Sequence, residues 1–142
     1  MTALPRRSCA LSLLLVACLS PSRLPGDDTA AAVLGTWDGK SKCTVPDSPC
    51  HDEHVVLEVK PDAKAAAHFT VDAYKIVSGE REFMGTLDCH YPSEAGALRC
   101  IGRRPVDIWL FHLSGDTMTG TLTIGAEKQL FRKISVRRST TH

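Results

Sequence analysis

The sequence predicts an all-β protein, an eight-stranded antiparallel up-and-down barrel, with a small β-sandwich as the alternative. From residue 33 onward, apolar and polar residues alternate with a period of two, and Gly, Pro, Asp and Ser interrupt the alternation at short intervals. The connections between these segments are too short to hold the helix that a parallel crossover needs. Because sequential hairpins can close on themselves and leave no unpaired edge, a barrel is favoured over a sandwich.

Eight segments carry the strand pattern, at residues 34–43, 54–60, 67–77, 82–91, 97–103, 106–113, 117–124 and 130–138. Residues 61–66 (PDAKAA) form the one segment between them that has a helical composition.

The sixth and seventh segments are joined by Ser114-Gly115-Asp116-Thr117, which is typical of a tight hairpin turn. Folding about this turn predicts three cross-strand pairs on one apolar face: Leu113 with Met118, Phe111 with Gly120, and Trp109 with Leu122. The ring of Phe111 is expected to cover the space left by Gly120.

The cysteines predict two disulfides. Six cysteines are present, and the four in the strand-rich part are Cys43, Cys50, Cys89 and Cys100. Four cysteines allow three connectivities. A hairpin turn near Glu94-Ala95 places Cys89 opposite Cys100, so the pairs Cys43–Cys50 and Cys89–Cys100 are favoured. An even number of cysteines in an exported chain indicates disulfides rather than catalytic thiols.

The first 17 residues have the pattern of a secretory signal, with Arg6 and Arg7 ahead of a short apolar run. Leu15-Val16-Ala17-Cys18 resembles a bacterial lipobox, which implies cleavage before Cys18 and lipidation of that cysteine. Leu19 follows, and the resemblance then implies an outer-membrane lipoprotein that faces the periplasm. The alternative is a soluble secreted protein. Residues 18–32 are expected to form a flexible tether, and residues 33–139 the barrel domain.

The start of the first strand, Gly35-Thr36-Trp37, resembles the opening of lipocalin-like (calycin-type) small envelope barrels. The resemblance implies that Trp37 closes the barrel floor and that a basic residue of the last strand packs across it. We assign this packing of a cation across the Trp37 ring to Arg137, with Arg138 as the alternative. This resemblance covers the first strand, the strand number and the last-strand arginines.

The lipocalin-like resemblance implies a small hydrophobic ligand inside the barrel, and the predicted pocket residues are Trp109, Phe111, Met118 and Leu122. The alternative is a protein-interaction or inhibitor module that uses the disulfide-stapled loop 43–50. A weaker alternative is a metal-binding envelope protein with His51 and His54 as ligands. Strand alternation places these two histidines on different faces, which argues against a shared metal ion.

The sequence indicates a binding protein rather than an enzyme. It contains neither a nucleophile elbow nor a Gly-rich phosphate loop, and no cofactor is predicted. The chain carries 17 basic and 16 acidic residues, and its arginine pairs are isolated, so nucleic acid is not an expected partner. The expected partners are the membrane, through the lipid anchor, and either a small apolar ligand or a protein.

Overall fold

A computed structural model of the chain describes residues 30–93 and 96–140. Its eight strands are β1 (Gly35–Cys43), β2 (Glu53–Pro61), β3 (His68–Val77), β4 (Glu80–His90), β5 (Leu98–Ile101), β6 (Ile108–Ser114), β7 (Thr117–Ile124) and β8 (Gln129–Arg138). The predicted signal peptide, Cys18, most of the predicted tether and the turn at Glu94-Ala95 lie outside the described residues.

The strands form one closed antiparallel barrel in sequence order. Each strand pairs with the next, and β8 returns to pair with β1 along seven residue pairs, from Trp37↔Arg138 to Cys43↔Arg132. The predicted fold class is therefore confirmed, and the closing β1–β8 ladder distinguishes the barrel from the sandwich alternative. In the described part of the chain, no helix is long and apolar enough to cross a membrane.

The predicted hairpin registers are confirmed. The β6–β7 ladder contains all three predicted apolar pairs. A methyl group added at Gly120 would overlap the ring of Phe111 and lie 2.8 Å from the Leu110 carbonyl oxygen, so the ring fills the space that the glycine leaves. Cys89 opposes Cys100 in the β4–β5 ladder, and the disulfides Cys43–Cys50 and Cys89–Cys100 are both present.

Side chains that point inward from the eight strands fill the barrel. Trp37, Phe111, Leu98 and Met118 are the largest that are almost completely buried. Burying a side chain of this size stabilises the fold by roughly 1.5–3 kcal/mol relative to leaving it exposed. The other strand residues of this core are Val55, Leu57, Val59, Phe69, Val71, Ala73, Leu87, Cys89, Cys100, Ile134 and Val136, and Val33 before β1 and Tyr91 after β4 complete it.

Trp37 and Arg138 close the base of the barrel. The indole is fully buried, its Nε1 donates a hydrogen bond to the Val33 carbonyl at 3.0 Å, and the Arg138 guanidinium lies 4.3 Å from the ring centroid. The guanidinium also donates to the carbonyl oxygens of Ala32 and Leu34, each at 2.6 Å. The chain segment before β1 is thereby fastened across the base.

The assignment of the base-closing arginine to Arg137 is corrected to Arg138. Trp37 pairs directly with Arg138 in the β1–β8 ladder, so both side chains lie on the same face of the sheet. Arg137 is one residue away, is exposed, and opposes Asp38 on the outer face.

Strands β1 and β8 approach closely at Gly39. A methyl group added there would overlap the Ser135 carbonyl oxygen and lie 2.7 Å from the Val136 Cα. Both atoms belong to the backbone, so they cannot move aside as a flexible side chain could. Gly39 is therefore the residue at which the closing ladder tolerates no side chain.

Replacing Gly39 with alanine is expected to destabilise the protein by about 1–3 kcal/mol, since the added methyl group forces β1 away from β8. Urea denaturation followed by intrinsic fluorescence measures the change in the free energy of unfolding. The adjacent Lys40→Ala, at an exposed position of the same strand, is the control and should change that free energy by under about 0.5 kcal/mol. Equal stability of the Gly39→Ala variant and the parent would contradict the close approach.

Candidate functional site

The four predicted pocket residues come together on the inner face of β6 and β7, where they are part of the packed interior. Phe111 and Met118 are about 1% exposed and Leu122 is 7% exposed. Trp109 is half-buried and packs against the core, with its ring close to Gly102. Two clefts lie on the outer wall of the barrel, one beside Leu110 and one beside Lys133, and a third lies at the base beside Leu34. None of the four predicted pocket residues lines any of these three clefts. A hydrophobic ligand at these residues stays a prediction.

The rim loop, defined as residues 43–54, connects β1 to β2 at the end of the barrel opposite the Trp37 base. The Cys43–Cys50 disulfide closes it, and the Cys43 amide donates to the Asp52 carboxylate at 2.9 Å. Inside the loop, the Ser48 hydroxyl donates to the Val45 carbonyl at 3.2 Å and accepts from the Cys50 amide at 3.2 Å. These local bonds satisfy backbone groups of Cys43, Val45 and Cys50, in the stretch of chain that follows the end of the β1–β2 ladder at Ser41↔Glu53.

The rim loop is also fastened to β8. The Thr44 amide donates to the Phe131 carbonyl at 3.0 Å, and the Thr44 hydroxyl donates to the Leu130 carbonyl at 2.9 Å. The start of the loop therefore continues the β1–β8 contact beyond the last ladder pair, Cys43↔Arg132.

Arg132 supports the loop from inside the barrel mouth. Its Nη1 donates to the Ser41 hydroxyl and to the His51 carbonyl, each at 3.2 Å, and lies 3.3 Å from the Glu53 carboxylate. The Arg132 and Glu53 side chains are only 14% and 17% exposed. A partly desolvated ion pair with several hydrogen bonds is stronger and more directional than one in water. It occupies the mouth and ties β1, β2 and β8 to the loop.

Asp107 connects two other loops at the same end of the barrel. The residue is 7% exposed, and its carboxylate accepts hydrogen bonds from Arg104 Nε at 2.7 Å and from the Gly125 amide at 3.1 Å. The loops that follow β5 and β7 are thus fixed relative to each other by one buried carboxylate.

The two candidate metal ligands lie against different acids. His51 Nε2 is 3.9 Å from the Glu53 carboxylate, which faces the barrel mouth, whereas His54 Nε2 is 2.9 Å from the Asp38 carboxylate on the outer wall. Among residues 30–93 and 96–140, no group of three His, Cys, Asp or Glu side chains has an arrangement that could hold a metal ion.

Several outward charges of β2, β3 and β4 form ion pairs with one another. Lys60 Nζ lies 2.9 Å from Asp72 and 3.2 Å from Glu58, and Arg81 Nη1 lies 2.8 Å from Glu58. The hydrogen bond from Lys60, together with one from the Thr86 hydroxyl at 2.6 Å, lowers the pKa of Asp72 below its ordinary value. The same Asp72 bond, supported by Glu58, raises the pKa of Lys60. We call this surface the paired wall.

The outward face of β5 to β8 and β1 has the opposite character. Its cations are Arg99, Lys133, Arg137, Lys40 and Lys42, and none of the five has a carboxylate within ion-pair distance among the described residues. The one acidic side chain that these strands direct outward is Asp38, which bonds to His54. We call this surface the cationic wall.

Sequence reasoning identified the loop, the disulfides and the histidines, but it missed Arg132 and the cationic wall. Arg132 has an inward position in the β8 alternation, shared with Ile134 and Val136, and that alternation was the signal that could have identified it. The cationic wall depends on the registers of four ladders, and no local sequence pattern indicates it.

Comparison of the chain with protein-family models, with curated proteins and with solved structures finds no match. The lipocalin-like relationship, the signal peptide and the lipid anchor therefore stay predictions.

Replacing Arg132 with methionine is expected to loosen the rim loop, because the His51 carbonyl loses its donor and the poorly exposed Glu53 carboxylate loses its countercharge. The free energy of unfolding should fall by about 1–3 kcal/mol. Amide hydrogen exchange in peptides covering residues 44–52 should become faster. Lys133→Met removes the neighbouring outward cation and is the control, and it should leave exchange in the loop unchanged. A loop that exchanges at the parent rate in Arg132→Met would rule out this support.

Acid should weaken the paired wall through Asp72. Because its pKa is lowered in the folded protein, the stabilisation by Asp72 is present above the ordinary Asp pKa of about 3.9 and is lost as the pH falls through the lowered value. In Asp72→Asn, the unfolding free energy should therefore fall less steeply with decreasing pH below about pH 4 than in the parent. Asp88→Asn, on the outer face of β4 and without an ion pair in the described part of the chain, is the control. Identical acid slopes for Asp72→Asn and the parent would refute the assignment.

Proposed function

We propose that this chain is an exported, non-catalytic binding protein that recognises a protein partner with its rim loop. One observation carries the proposal. The loop is fixed by a disulfide, by Thr44 bonds to β8 and by Arg132, while the side chains of Pro46, Asp47, Pro49 and His51 remain exposed.

A loop that is already rigid loses little conformational entropy when it binds, so more of its contact energy appears as affinity. The Pro residues and the disulfide restrict the backbone, and the exposed side chains supply a carboxylate, an imidazole and apolar rings. Neither the clefts on the outer wall nor the cleft at the base is lined by a rim-loop residue. A surface of this kind fits a protein partner better than a small molecule, which needs a concave site.

A small hydrophobic ligand inside the barrel is less well supported. The interior positions around Phe111 and Met118 are occupied by packed side chains, and the Arg132–Glu53 pair lies across the mouth. A ligand would have to displace both apolar packing and a hydrogen-bonded ion pair.

The two disulfides are consistent with an exported protein. We further propose that Cys18 carries a lipid anchor and that the barrel faces the periplasm from the outer membrane. In this arrangement the anchor lies 17 residues before the first strand residue, Gly35. A tether of that length would hold the barrel near the membrane and leave the rim loop free to meet a partner.

The test is quantitative affinity capture of envelope proteins by the disulfide-bonded protein, followed by mass spectrometry. The triple variant Asp47→Asn, Pro49→Ala, His51→Gln changes exposed side chains of the loop and keeps the Cys43–Cys50 disulfide. Asparagine tolerates the positive φ of 56° that Asp47 adopts. We expect one or a few proteins to be captured by the parent and depleted at least about tenfold by the triple variant.

Lys64→Gln is the control, since Lys64 is exposed in the loop between β2 and β3 at the opposite end of the barrel. It should capture the same proteins as the parent. Partners retained equally by the triple variant would overturn the rim-loop proposal. A native mass that shows a retained apolar molecule would instead support the ligand in the barrel.

A further inference from the structure

Six cross-strand neighbours form a continuous row around the outside of the barrel. The ladders pair each member with the next, in the order His90, Arg99, Leu110, Thr121, Lys133 and Lys42. The row crosses from β4 to β1, which is five of the eight strand intervals and about 24 Å at ~4.8 Å per interval. We call these six residues the cationic row.

The cationic row runs through two neighbouring clefts. One, of about 910 Å³, is lined by His90, Arg99, Leu110 and Thr121, together with Lys128 from the loop before β8. The other, of about 390 Å³, is lined by Lys42, Lys133, Lys40 and Ser135. The direct pair Thr121↔Lys133 joins the two clefts, so they form one surface.

The charge of this surface is not balanced within the described protein. On the paired wall, Glu58 and Asp72 neutralise Lys60 and Arg81, whereas the row's Arg99, Lys133 and Lys42 have no such partners.

Lys42 and Lys133 are directly opposite each other in the β1–β8 ladder. Two like charges at such a position destabilise a sheet. The fold gains nothing from this pair, which points to a ligand that supplies the missing negative charge.

We infer that the cationic row binds a linear anionic polysaccharide. The row extends over more than half of the barrel circumference, so its side chains point in widely different directions. A flat bilayer can contact only a part of such a curved row, whereas a flexible linear chain can follow it. A chain with repeated negative charges can meet Arg99 at one cleft and Lys133 and Lys42 at the other.

The side chains between the cations favour a sugar polymer over a nucleic acid. Thr121 belongs to the row, and Thr119, Thr123 and Ser135 flank it on the same face, so hydroxyl groups lie beside the charges. Hydroxyls both donate and accept hydrogen bonds, as the hydroxyl groups of a sugar require. None of the six row residues is Trp, Tyr or Phe, the aromatic side chains on which the bases of single-stranded nucleic acid stack.

No residue of the rim loop belongs to the cationic row or lines either of its two clefts, so the inference does not rest on the protein-partner proposal. Its test measures the binding of fluorescently labelled polygalacturonate to the disulfide-bonded protein by anisotropy over a range of salt concentrations. We expect binding that weakens as salt increases, and no binding of neutral dextran of the same length. In Lys42→Gln/Lys133→Gln, affinity should fall at least about tenfold and the salt dependence should become flatter.

The matched control is Lys64→Gln/Arg103→Gln, which removes the same number of positive charges from exposed loop positions outside the row. This control should bind polygalacturonate within about twofold of the parent, since neither residue belongs to the row or lines either of its two clefts. The row variant should also unfold at the same urea concentration as the parent or a higher one, because it removes a like-charge pair.

Four outcomes would overturn the inference. These are equal binding of dextran, equal loss of affinity in the two double variants, tighter binding of single-stranded DNA than of polygalacturonate, and tighter binding of phosphatidylglycerol vesicles. A row variant that unfolds at lower urea would show that the lysine pair has a structural role instead. Loss of protein capture in the rim-loop variants bears on a different surface, so the two proposals can fail separately.

Discussion

The pairing of β1 with β8 is the constraint on which the other features of this molecule depend. It is the one ladder that joins the two ends of the strand order, and it closes the barrel. Its register places Trp37 under Arg138 at the base, Gly39 against the β8 backbone in the middle, and Cys43 beside Arg132 at the rim. A slip of one residue would reverse which side chains face inward, and would separate all three contacts at once.

The same register determines what the two faces of the ladder can do. The inward face carries Trp37, Ile134 and Val136, whose burial stabilises the fold, and it ends in the Arg132 network at the mouth. The outward face brings Lys42 next to Lys133. In an eight-stranded barrel the interior is just wide enough to be filled by side chains. Packed side chains occupy this interior, and the two proposed binding surfaces lie at the rim and on the outer wall.

Local sequence patterns were sufficient to predict the strands, the β6–β7 register and both disulfides. A tight turn fixes the register of a hairpin, so Phe111 opposite Gly120 and Cys89 opposite Cys100 follow from counting residues. The β1–β8 register is different, because the two strands lie at opposite ends of the domain and no turn connects them. Choosing Arg137 over Arg138 was therefore a one-residue error that only the closed ladder could correct.

The cationic row is even harder to predict from residues that are close together in the sequence. Each of its members is unremarkable in the sequence, and Lys42 and Lys133 are 91 residues apart. They become neighbours only because the barrel closes. A local pattern predicts which residues of one strand share a face, but the alignment of that face with those of several other strands is a property of the whole barrel.

The β1–β8 ladder holds both proposed binding surfaces together, since Lys42 on the wall is followed directly by Cys43 at the start of the rim loop. A partner at the rim and a polymer on the wall would therefore meet at the same end of β1, and each would change the space and the charge that the other encounters.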